Sequence, residues 1–288
     1  MTLTIPKRLA ETFRKTPEQA AWLEQLPTFL DELAERWALK LGEPFDGDEV
    51  SVSWVAPVMR AGGTSAVLKV GWLHMEAEHE IQGLRFWDGD PTVRLLEADI
   101  KFNAMLLERC VPGTVLRTLP EPEQDVIIAQ ILRQLWRTPS TPHAFRPLST
   151  MTAHWRSEAL ADVQPGPDEK LISEGLELFQ ELPYTASEEV LLATDLHAGN
   201  VLRAEREPWL MIDPKPFVGD PAYDATQHLF NCGDRLRKDA DGTIRRFTDL
   251  LGVDHERVRQ WMFARAAVNL HHAQNNPEAI SLFRALLL

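Results

Sequence analysis

The sequence predicts an α+β protein with a β-rich first part and a mostly helical second part. Apolar and polar residues alternate over residues 50–59, as in a half-buried strand; residues 60–64 have turn chemistry and a second strand resumes over 66–70, which together indicate a β-hairpin. The stretch Cys110-Val111-Pro112-Gly113 ends this strand pattern, and apolar residues beyond it recur mainly at helical spacing. We therefore expect two lobes with a cleft between them, and such clefts are common ligand sites.

Periodicity and turn residues place the individual elements. Pro17 can open a helical turn, and apolar residues follow at three- and four-residue steps, so the first 40 residues are predicted to be helical. The β-rich part then contains strands and one helix, at residues 50–59, 66–70, 74–87 (the helix), 93–98 and 104–109. Helices are predicted in the second part at residues 122–137, 149–162, 168–182, 223–237, 243–251 and 254–274. Short strands interrupt them at residues 190–193, 201–203 and 209–212. We place the domain boundary after Val111, which gives an N-lobe of residues 1–111 and a C-lobe of residues 112–288.

Composition restricts the class of protein. The chain has 288 residues, of which 44% are hydrophobic and 25% charged, as in a globular protein that can bury a sizeable core. Its formal charge of -13 disfavours binding to nucleic acid or an anionic membrane and favours a cationic small molecule. The sequence shows neither a signal-like start nor a long apolar run, and its two cysteines cannot form a disulfide framework. We expect a cytoplasmic protein.

The most informative stretch runs from residue 191 to residue 224, LLATDLHAGNVLRAEREPWLMIDPKPFVGDPAYD. Asp195 precedes Asn200 by five positions, and Asp213 follows the last short strand. Strands flanking a tight loop can bring two carboxylates and an amide oxygen close together. Transfer of a phosphoryl group from a nucleotide needs such a set, because one carboxylate orients the attacking hydroxyl while oxygen ligands hold magnesium on the phosphates.

These residues resemble a known family. D-L-H-A-G-N-V-L, I-D-P-K-P and G-D-P-A-Y-D are similar to segments of the aminoglycoside phosphotransferases, and more specifically of their streptomycin kinase and hydroxyurea kinase branch. The similarity extends upstream through A-G-G-T-S-A-V-L-K, G-L-R-F-W-D-G-D and M-L-L-E-R-C-V-P-G, in the expected order. The resemblance implies a protein-kinase-like bilobal fold with extra N-terminal helices. It also implies transfer of the γ-phosphate of ATP (or GTP), with Mg2+, to a hydroxyl group of a small polar molecule.

The resemblance assigns roles to residues of the second part. Asp195 matches the catalytic-loop aspartate, the candidate base. Asn200 and Asp213 match the two side chains that bind magnesium. The histidine expected two positions before the aspartate is replaced by Ala193.

In the first part, Lys69 matches the lysine that contacts the α- and β-phosphates. Its partner on the following helix is expected to be Glu76 or Glu80, and the offset of seven from the lysine favours Glu76. Arg109 and Val111 belong to the strand end whose backbone is expected to bind adenine.

A phosphate-covering loop is expected at residues 42–49, which carry four acidic residues. Backbone amides and the hydroxyl groups of Ser51 and Ser53 are the expected phosphate contacts there. His197 is interpreted as a loop side chain rather than a metal ligand, since no second histidine stands at ligand spacing. Asp220 is interpreted as a helix cap.

The acceptor expected from the resemblance is an aminoglycoside of the streptomycin type. Three alternatives remain open at the level of sequence. The chain could be a catalytically silent kinase-like binding protein, a kinase of a sugar or amino-alcohol metabolite, or a metal-assisted hydrolase that uses Asp195, His197 and Asp213.

Overall fold

The computed structural model describes residues 4–46, 52–161, 168–272 and 277–286. Internal contacts divide the chain into two compact units, Met1–Thr114 with Leu202–Ile212 and Val115–Val201 with Asp213–Leu288. The helices are α1 (Lys7–Thr12), α2 (Pro17–Arg36), α3 (Glu80–Trp87), α4 (Glu121–Leu135), α5 (Leu148–Ala161), α6 (Glu169–Glu181), α7 (Pro221–Phe230), α8 (Gly233–Lys238), α9 (Ala240–Leu251), α10 (His255–His272) and α11 (Pro277–Ala285). The strands are β1 (Leu39–Leu41), β2 (Ser53–Arg60), β3 (Ser65–Gly71), β4 (Leu95–Asp99), β5 (Ala104–Glu108), β6 (Val190–Leu192), β7 (Val201–Arg203), β8 (Trp209–Met211) and β9 (Phe217–Gly219). The domain boundary after Val111 stays a prediction.

The first unit contains a five-stranded antiparallel sheet with the order β1-β2-β3-β5-β4. The predicted hairpin is confirmed as β2–β3, and its turn is closed by a hydrogen bond from the backbone N of Arg60 to the carbonyl of Thr64 (2.9 Å). Gly63 in this turn has a φ of 78°, a conformation that glycine adopts without strain. Lys69 lies near the middle of β3, opposite Val55 on β2 and Met105 on β5. The lysine is therefore held by the best-paired part of the sheet.

The two faces of this sheet belong to different apolar cores. Alternate residues of β3 and β5 form one core with α2: Leu26, Leu30, Leu33, Ala66, Leu68, Val70, Ala104 and Leu106. The intervening residues Met105 and Leu107 of β5 join a second core with Ile81 and Leu84 of α3. Because side chains alternate along a strand, Lys69 points to the face that α3 covers.

The helix predicted over residues 74–87 is shorter in the structure. Residues Met75–Ala77 form a single 3-10 turn, and the α-helix begins only at Glu80. At its other end, Asp88 adopts a left-handed conformation with a φ of 48° and donates its backbone N–H to the carbonyl of Leu84 (3.0 Å). The offset of seven therefore places Glu76 on a turn rather than on the helix that faces β3.

The second unit is mostly helical. Helix α10 is buried over most of its length and packs against α6, α7, α9 and α11. The cap predicted at Asp220 is observed, because its side chain accepts from the backbone N of Ala222 (3.0 Å) at the start of α7. The helix predicted over residues 223–237 is two helices, α7 and α8, separated at Asn231 and Cys232. Among the described residues, no helix is long and apolar enough to cross a membrane.

Candidate active site

The pairing of β6 with β9 brings two loops of the second unit next to each other. Leu192 is opposite Phe217, so the loop that leaves β6 and the loop that enters β9 lie at the same end of this short ladder. The backbone N of Lys215 donates to the carbonyl of Ala193 (2.9 Å), and the hydroxyl of Thr194 donates to the carbonyl of Lys215 (2.6 Å). The segment 193–200, here called the catalytic loop, is thereby tied to the Asp213-Pro214-Lys215 segment.

The carboxylate of Asp195 is held at both oxygens. Lys215 Nζ lies 2.7 Å from Oδ2, and the side-chain amide of Gln227 donates to Oδ1 (2.7 Å). Lys215 and Asp195 are partly exposed, with 23% and 19% of their side chains accessible. These two contacts fix the orientation of the Asp195 carboxylate, and its partial exposure leaves it accessible to a ligand.

Asn200 closes the catalytic loop. Its backbone N donates to the carbonyl of His197 (2.9 Å), and its side-chain Nδ2 donates to the carbonyl of Asp195 (3.0 Å). The amide nitrogen is used inside the loop, so its oxygen is the atom that Asn200 can offer to a cation. Asp213 follows β8 with a φ of 55° and stands two residues before Lys215. Amide and carboxylate oxygens are hard ligands that suit Mg2+.

Asp224 anchors the start of the catalytic loop. This buried residue of α7 accepts hydrogen bonds from the backbone N of Ala193 (3.0 Å), the backbone N of Thr194 (2.7 Å) and the indole N–H of Trp136 (3.1 Å). Burial raises the pKa of Asp224 to about 6, although these donors act in the opposite direction. Ala193 contributes backbone groups to the site. The loop therefore stays anchored by Asp224 although alanine stands where histidine was expected.

His197 is a structural residue of the catalytic loop, as the sequence interpretation held. Its Nδ1 accepts from the backbone N of Gly199 (3.0 Å) and lies 3.2 Å from a guanidinium nitrogen of Arg117. Two donors at Nδ1 require that this nitrogen carry no proton. A Cβ atom on Gly199 would lie 2.6 Å from His197 Cε1, so only glycine permits this arrangement.

In the first unit, Lys69 pairs with Glu80 rather than with the favoured Glu76. Lys69 Nζ lies 2.7 Å from each carboxylate oxygen of Glu80, and both residues are buried. Glu76, on the 3-10 turn, lies 3.9 Å from His74 Nε2. The preference for Glu76 as the lysine partner was wrong, because the helix facing β3 begins four residues later than the offset assumed.

The other predicted nucleotide contacts are distributed over the first unit. Ser53 is a buried residue at the start of β2, opposite Gly71, whereas Ser51 lies outside the described residues. Arg109 and Val111 are exposed and follow β5. Their roles in nucleotide binding remain predictions.

Glu108, the last residue of β5, is held by an ion pair and by a backbone hydrogen bond. Glu108 accepts from Arg206 Nε and Nη2 (2.9 Å each) and from the backbone N of Arg94 (3.0 Å). Burial alone would raise the pKa of Glu108, but these donors outweigh it and lower the value.

A second cluster of polar side chains lies between α4, α7 and α8. Ligand-type atoms of Asp125, His228 and Cys232 lie within 4.8 Å of one another. The guanidinium of Arg235 donates to both oxygens of Asp125 (2.8 Å each) and to Cys232 Sγ (3.2 Å), where a metal cation would otherwise be placed. Burial lowers the pKa of His228, but its hydrogen bonds to Asp125 and Cys232 prevail and raise it to about 9. We interpret this cluster as a structural ion network.

Sequence reasoning assigned no role to Lys215 or Gln227. Lys215 stands inside the I-D-P-K-P string, yet its side-chain direction depends on the pairing of β6 with β9. Gln227 follows Asp224 by three positions, a spacing that places both on one face of α7. That spacing was the available signal for Gln227.

Comparison with known proteins relates the chain to small-molecule kinases. Residues 36–275 match the family described as aminoglycoside/hydroxyurea antibiotic resistance kinase. The chain is 33% identical over 300 residues to streptomycin 6-kinase of Streptomyces glaucescens, covering 98% of this chain and 96% of that protein. It is 34% identical over 253 residues to hydroxyurea phosphotransferase of Kitasatospora aureofaciens, covering 86% and 73% respectively.

Solved structures with the same fold include two small-molecule kinases. Choline kinase LicA from Streptococcus pneumoniae has a TM-score of 0.64 at 11% identity, covering 91% of this chain and 97% of the other. Spectinomycin phosphotransferase APH(9)-Ia, in complex with ADP and spectinomycin, has a TM-score of 0.54 at 14% identity, covering 90% and 93%. The predicted protein-kinase-like α+β fold is confirmed.

Proposed function

The chain belongs to the aminoglycoside/hydroxyurea antibiotic resistance kinases and is a small-molecule kinase, and we propose that it transfers the γ-phosphoryl group of ATP to a hydroxyl group of a streptomycin-type aminoglycoside. The observation that carries the proposal is the catalytic loop. Within it the Asn200 side chain is tied to the Asp195 backbone, and Lys215 and Gln227 contact the two carboxylate oxygens of Asp195 from outside the loop. This arrangement supports phosphoryl transfer, in which positioning and charge neutralisation provide most of the rate increase.

Each proposed role follows from the chemistry of the side chain. Asp195 orients the acceptor hydroxyl and accepts its proton as the bond to phosphorus forms. Asn200 and Asp213 offer oxygen ligands for Mg2+, which would neutralise phosphate charge when bound. Lys69, fixed by Glu80, would contact the α- and β-phosphates. The hydroxyl of Ser53 and the backbone at Arg109 and Val111 are the proposed further nucleotide contacts.

Two observations support a cationic acceptor. The relative from Streptomyces glaucescens is named streptomycin 6-kinase and is similar over nearly the whole chain. The net charge of -13 would also attract the guanidinium groups of streptomycin by long-range electrostatics. Hydroxyurea is the second acceptor to test, because the other relative is named hydroxyurea phosphotransferase.

An acceptor assay tests the proposal. Purified protein is incubated with ATP and Mg2+, and ADP formation is followed with streptomycin, spectinomycin, hydroxyurea or choline, and without acceptor. We expect ADP formation that depends on streptomycin, together with a product that has gained one phosphoryl group by mass spectrometry. ADP formation only with hydroxyurea or choline would contradict the aminoglycoside assignment. Nucleotide binding without any acceptor-dependent ADP would contradict the kinase proposal and favour a silent binding protein.

A further inference from the structure

Three side chains form a hydrogen-bonded row that leads from helix α10 to the Asp195 carboxylate. Arg265 lies on α10, and its Nη2 donates to Oε1 of Gln227 on α7 (2.7 Å). The amide nitrogen of the same glutamine donates to Oδ1 of Asp195 (2.7 Å). The row thus connects a helix of the second unit to the proposed base in the catalytic loop.

The two ends of the row fix the orientation of the Gln227 amide. A guanidinium donates hydrogen bonds and has no acceptor atom, whereas a carboxylate accepts them. An amide between the two groups must therefore turn its oxygen to Arg265 and its nitrogen to Asp195. Rotation of the amide by half a turn would oppose oxygen to oxygen and nitrogen to nitrogen, and both hydrogen bonds would be lost. The charge of Arg265 therefore determines which end of the amide meets Asp195.

Arg265 is itself held in one position. Only 6% of the residue is exposed, and its Nη1 donates to the hydroxyl of Thr226. Its guanidinium carbon lies 4.7 Å from the ring centroid of Tyr223 and 5.5 Å from that of Phe230. A planar guanidinium can contact aromatic rings with its faces while it donates in its plane, which a lysine ammonium cannot do. These contacts make Arg265 a rigid support for Gln227.

We propose that Arg265 is a positioning residue that acts on Asp195 through Gln227, an inference that rests on the proposed function. Arg265 fixes the amide, and the amide restricts rotation of the Asp195 carboxylate about its Cβ–Cγ bond. A carboxylate held in this way keeps its orientation toward the acceptor hydroxyl, whose proton it accepts as the bond to phosphorus forms. Because Arg265 is buried, its effect on the reaction passes through the amide.

A double-mutant cycle tests whether Arg265 acts through Gln227. Arg265→Met, Gln227→Met and the double variant are compared with the wild type by ADP formation with streptomycin and by calorimetry with ATP and Mg2+. We expect each single variant to lose about tenfold in kcat through displacement of the base, with ATP affinity within about twofold of the wild type. The double variant should match the slower single variant, because Arg265 has no route to Asp195 once the amide is gone. Arg259→Met, at a partly exposed position on the same helix, is the control and should match the wild type.

Gln227→Glu separates positioning from stability and decides the matter even where Arg265→Met does not fold. The substitution keeps an acceptor for Arg265 and adds an opposite charge, so we expect the midpoint of thermal unfolding to stay close to that of the wild type. It also replaces the donor at Asp195 by a second carboxylate oxygen. The kcat is therefore expected to fall about tenfold although the fold is retained.

The outcomes that would contradict the positioning role are distinct from a failure of the proposed function. Additive losses of kcat in the cycle, an ATP affinity that falls as much as kcat, or an unchanged kcat in Gln227→Glu would each overturn it. If the wild type forms no ADP with any acceptor, the proposed function fails. The same cycle measured by thermal unfolding then still decides whether Arg265 fixes Gln227, because coupled losses support that contact and additive losses contradict it.

Discussion

The ion pair between Lys69 and Glu80 fixes the position of the Lys69 ammonium. Only 8% of Lys69 and 3% of Glu80 are exposed, so both charges have lost most of their hydration. Burying two ions is costly unless the geometry is good, and here one ammonium contacts both carboxylate oxygens at 2.7 Å. The pair contributes little net stability by itself, and its effect is to keep the Lys69 ammonium in one position.

Removing the charge of Glu80 should therefore matter more than removing that of Glu76. Glu80→Gln removes the negative charge that lies 2.7 Å from a buried ammonium, and we expect the free energy of unfolding to fall by about 3 kcal/mol and the kcat/KM for ATP to fall at least tenfold. Glu76→Gln is expected to change both quantities much less. Thermal unfolding and ADP-coupled kinetics measure the two variants side by side. A larger effect for Glu76→Gln would contradict the assigned pair.

At the level of elements, the β6–β9 ladder and the first turns of α7 position the catalytic loop. Each strand has only three residues, and a Cβ atom at Gly219 of β9 would lie 2.5 Å from Leu148 Cβ, so close packing against α5 depends on glycine there. Asp224 then binds the first two amides of the loop. The position of Asp195 is thus set by backbone hydrogen bonds that do not require a histidine at position 193.

Substitution of Asp224 tests this anchoring. In Asp224→Asn an N–H group replaces one acceptor, so a buried backbone amide loses its partner at a cost of about 2 kcal/mol in unfolding free energy. We expect kcat to fall by up to about 100-fold through displacement of Asp195, with a smaller change in ATP affinity. Asp249→Asn, at an exposed position on α9, is the control and should behave as wild type. An unchanged kcat in Asp224→Asn would show that the anchor is dispensable.

The same anchor gives the wild type a pH dependence. Burial raises the pKa of Asp224 to about 6, and only the ionised carboxylate can accept from both backbone amides and from Trp136. As the pH falls through about 6, one oxygen becomes a donor, so a profile of kcat against pH is expected to fall on the acid side of that value. A kcat that stays constant as the pH passes from above to below this pKa would contradict the anchoring role of Asp224.

The strands missed in the sequence analysis are short, although three other three-residue strands, β6, β7 and β8, were predicted. β1 and β9 have three residues each, too few for a periodic signal, and their existence depends on partners distant in sequence. The break between α7 and α8 falls in a stretch without proline, so no helix-breaking residue indicated it. Residues 74–79 were predicted to belong to a helix, but the α-helix begins only at Glu80. Long segments with apolar residues on one face, such as α2 and α4, were predicted to be helical because that periodicity lies in the segment itself.

For the whole molecule, the order of motifs along the chain was sufficient to predict the fold and the family. Asp195, Asn200, Asp213 and Lys69 were identified from spacing and resemblance. The contacts that orient Asp195 were not predicted, because Lys215 and Gln227 come from separate elements that meet it only in three dimensions. Sequence thus indicated the proposed reacting groups, and the structure adds the groups that hold them.

The most direct test of the account measures turnover and nucleotide binding in Asp195→Ala. We predict that streptomycin-dependent ADP formation is lost while the affinity for ATP with Mg2+ stays within several-fold of the wild type, because Asp195 acts on the acceptor rather than on the nucleotide. Asp234→Asn, whose side chain is 92% accessible, is the control and should retain full activity. Turnover of Asp195→Ala at the wild-type rate would contradict the assignment of Asp195 and, with it, the proposed mechanism.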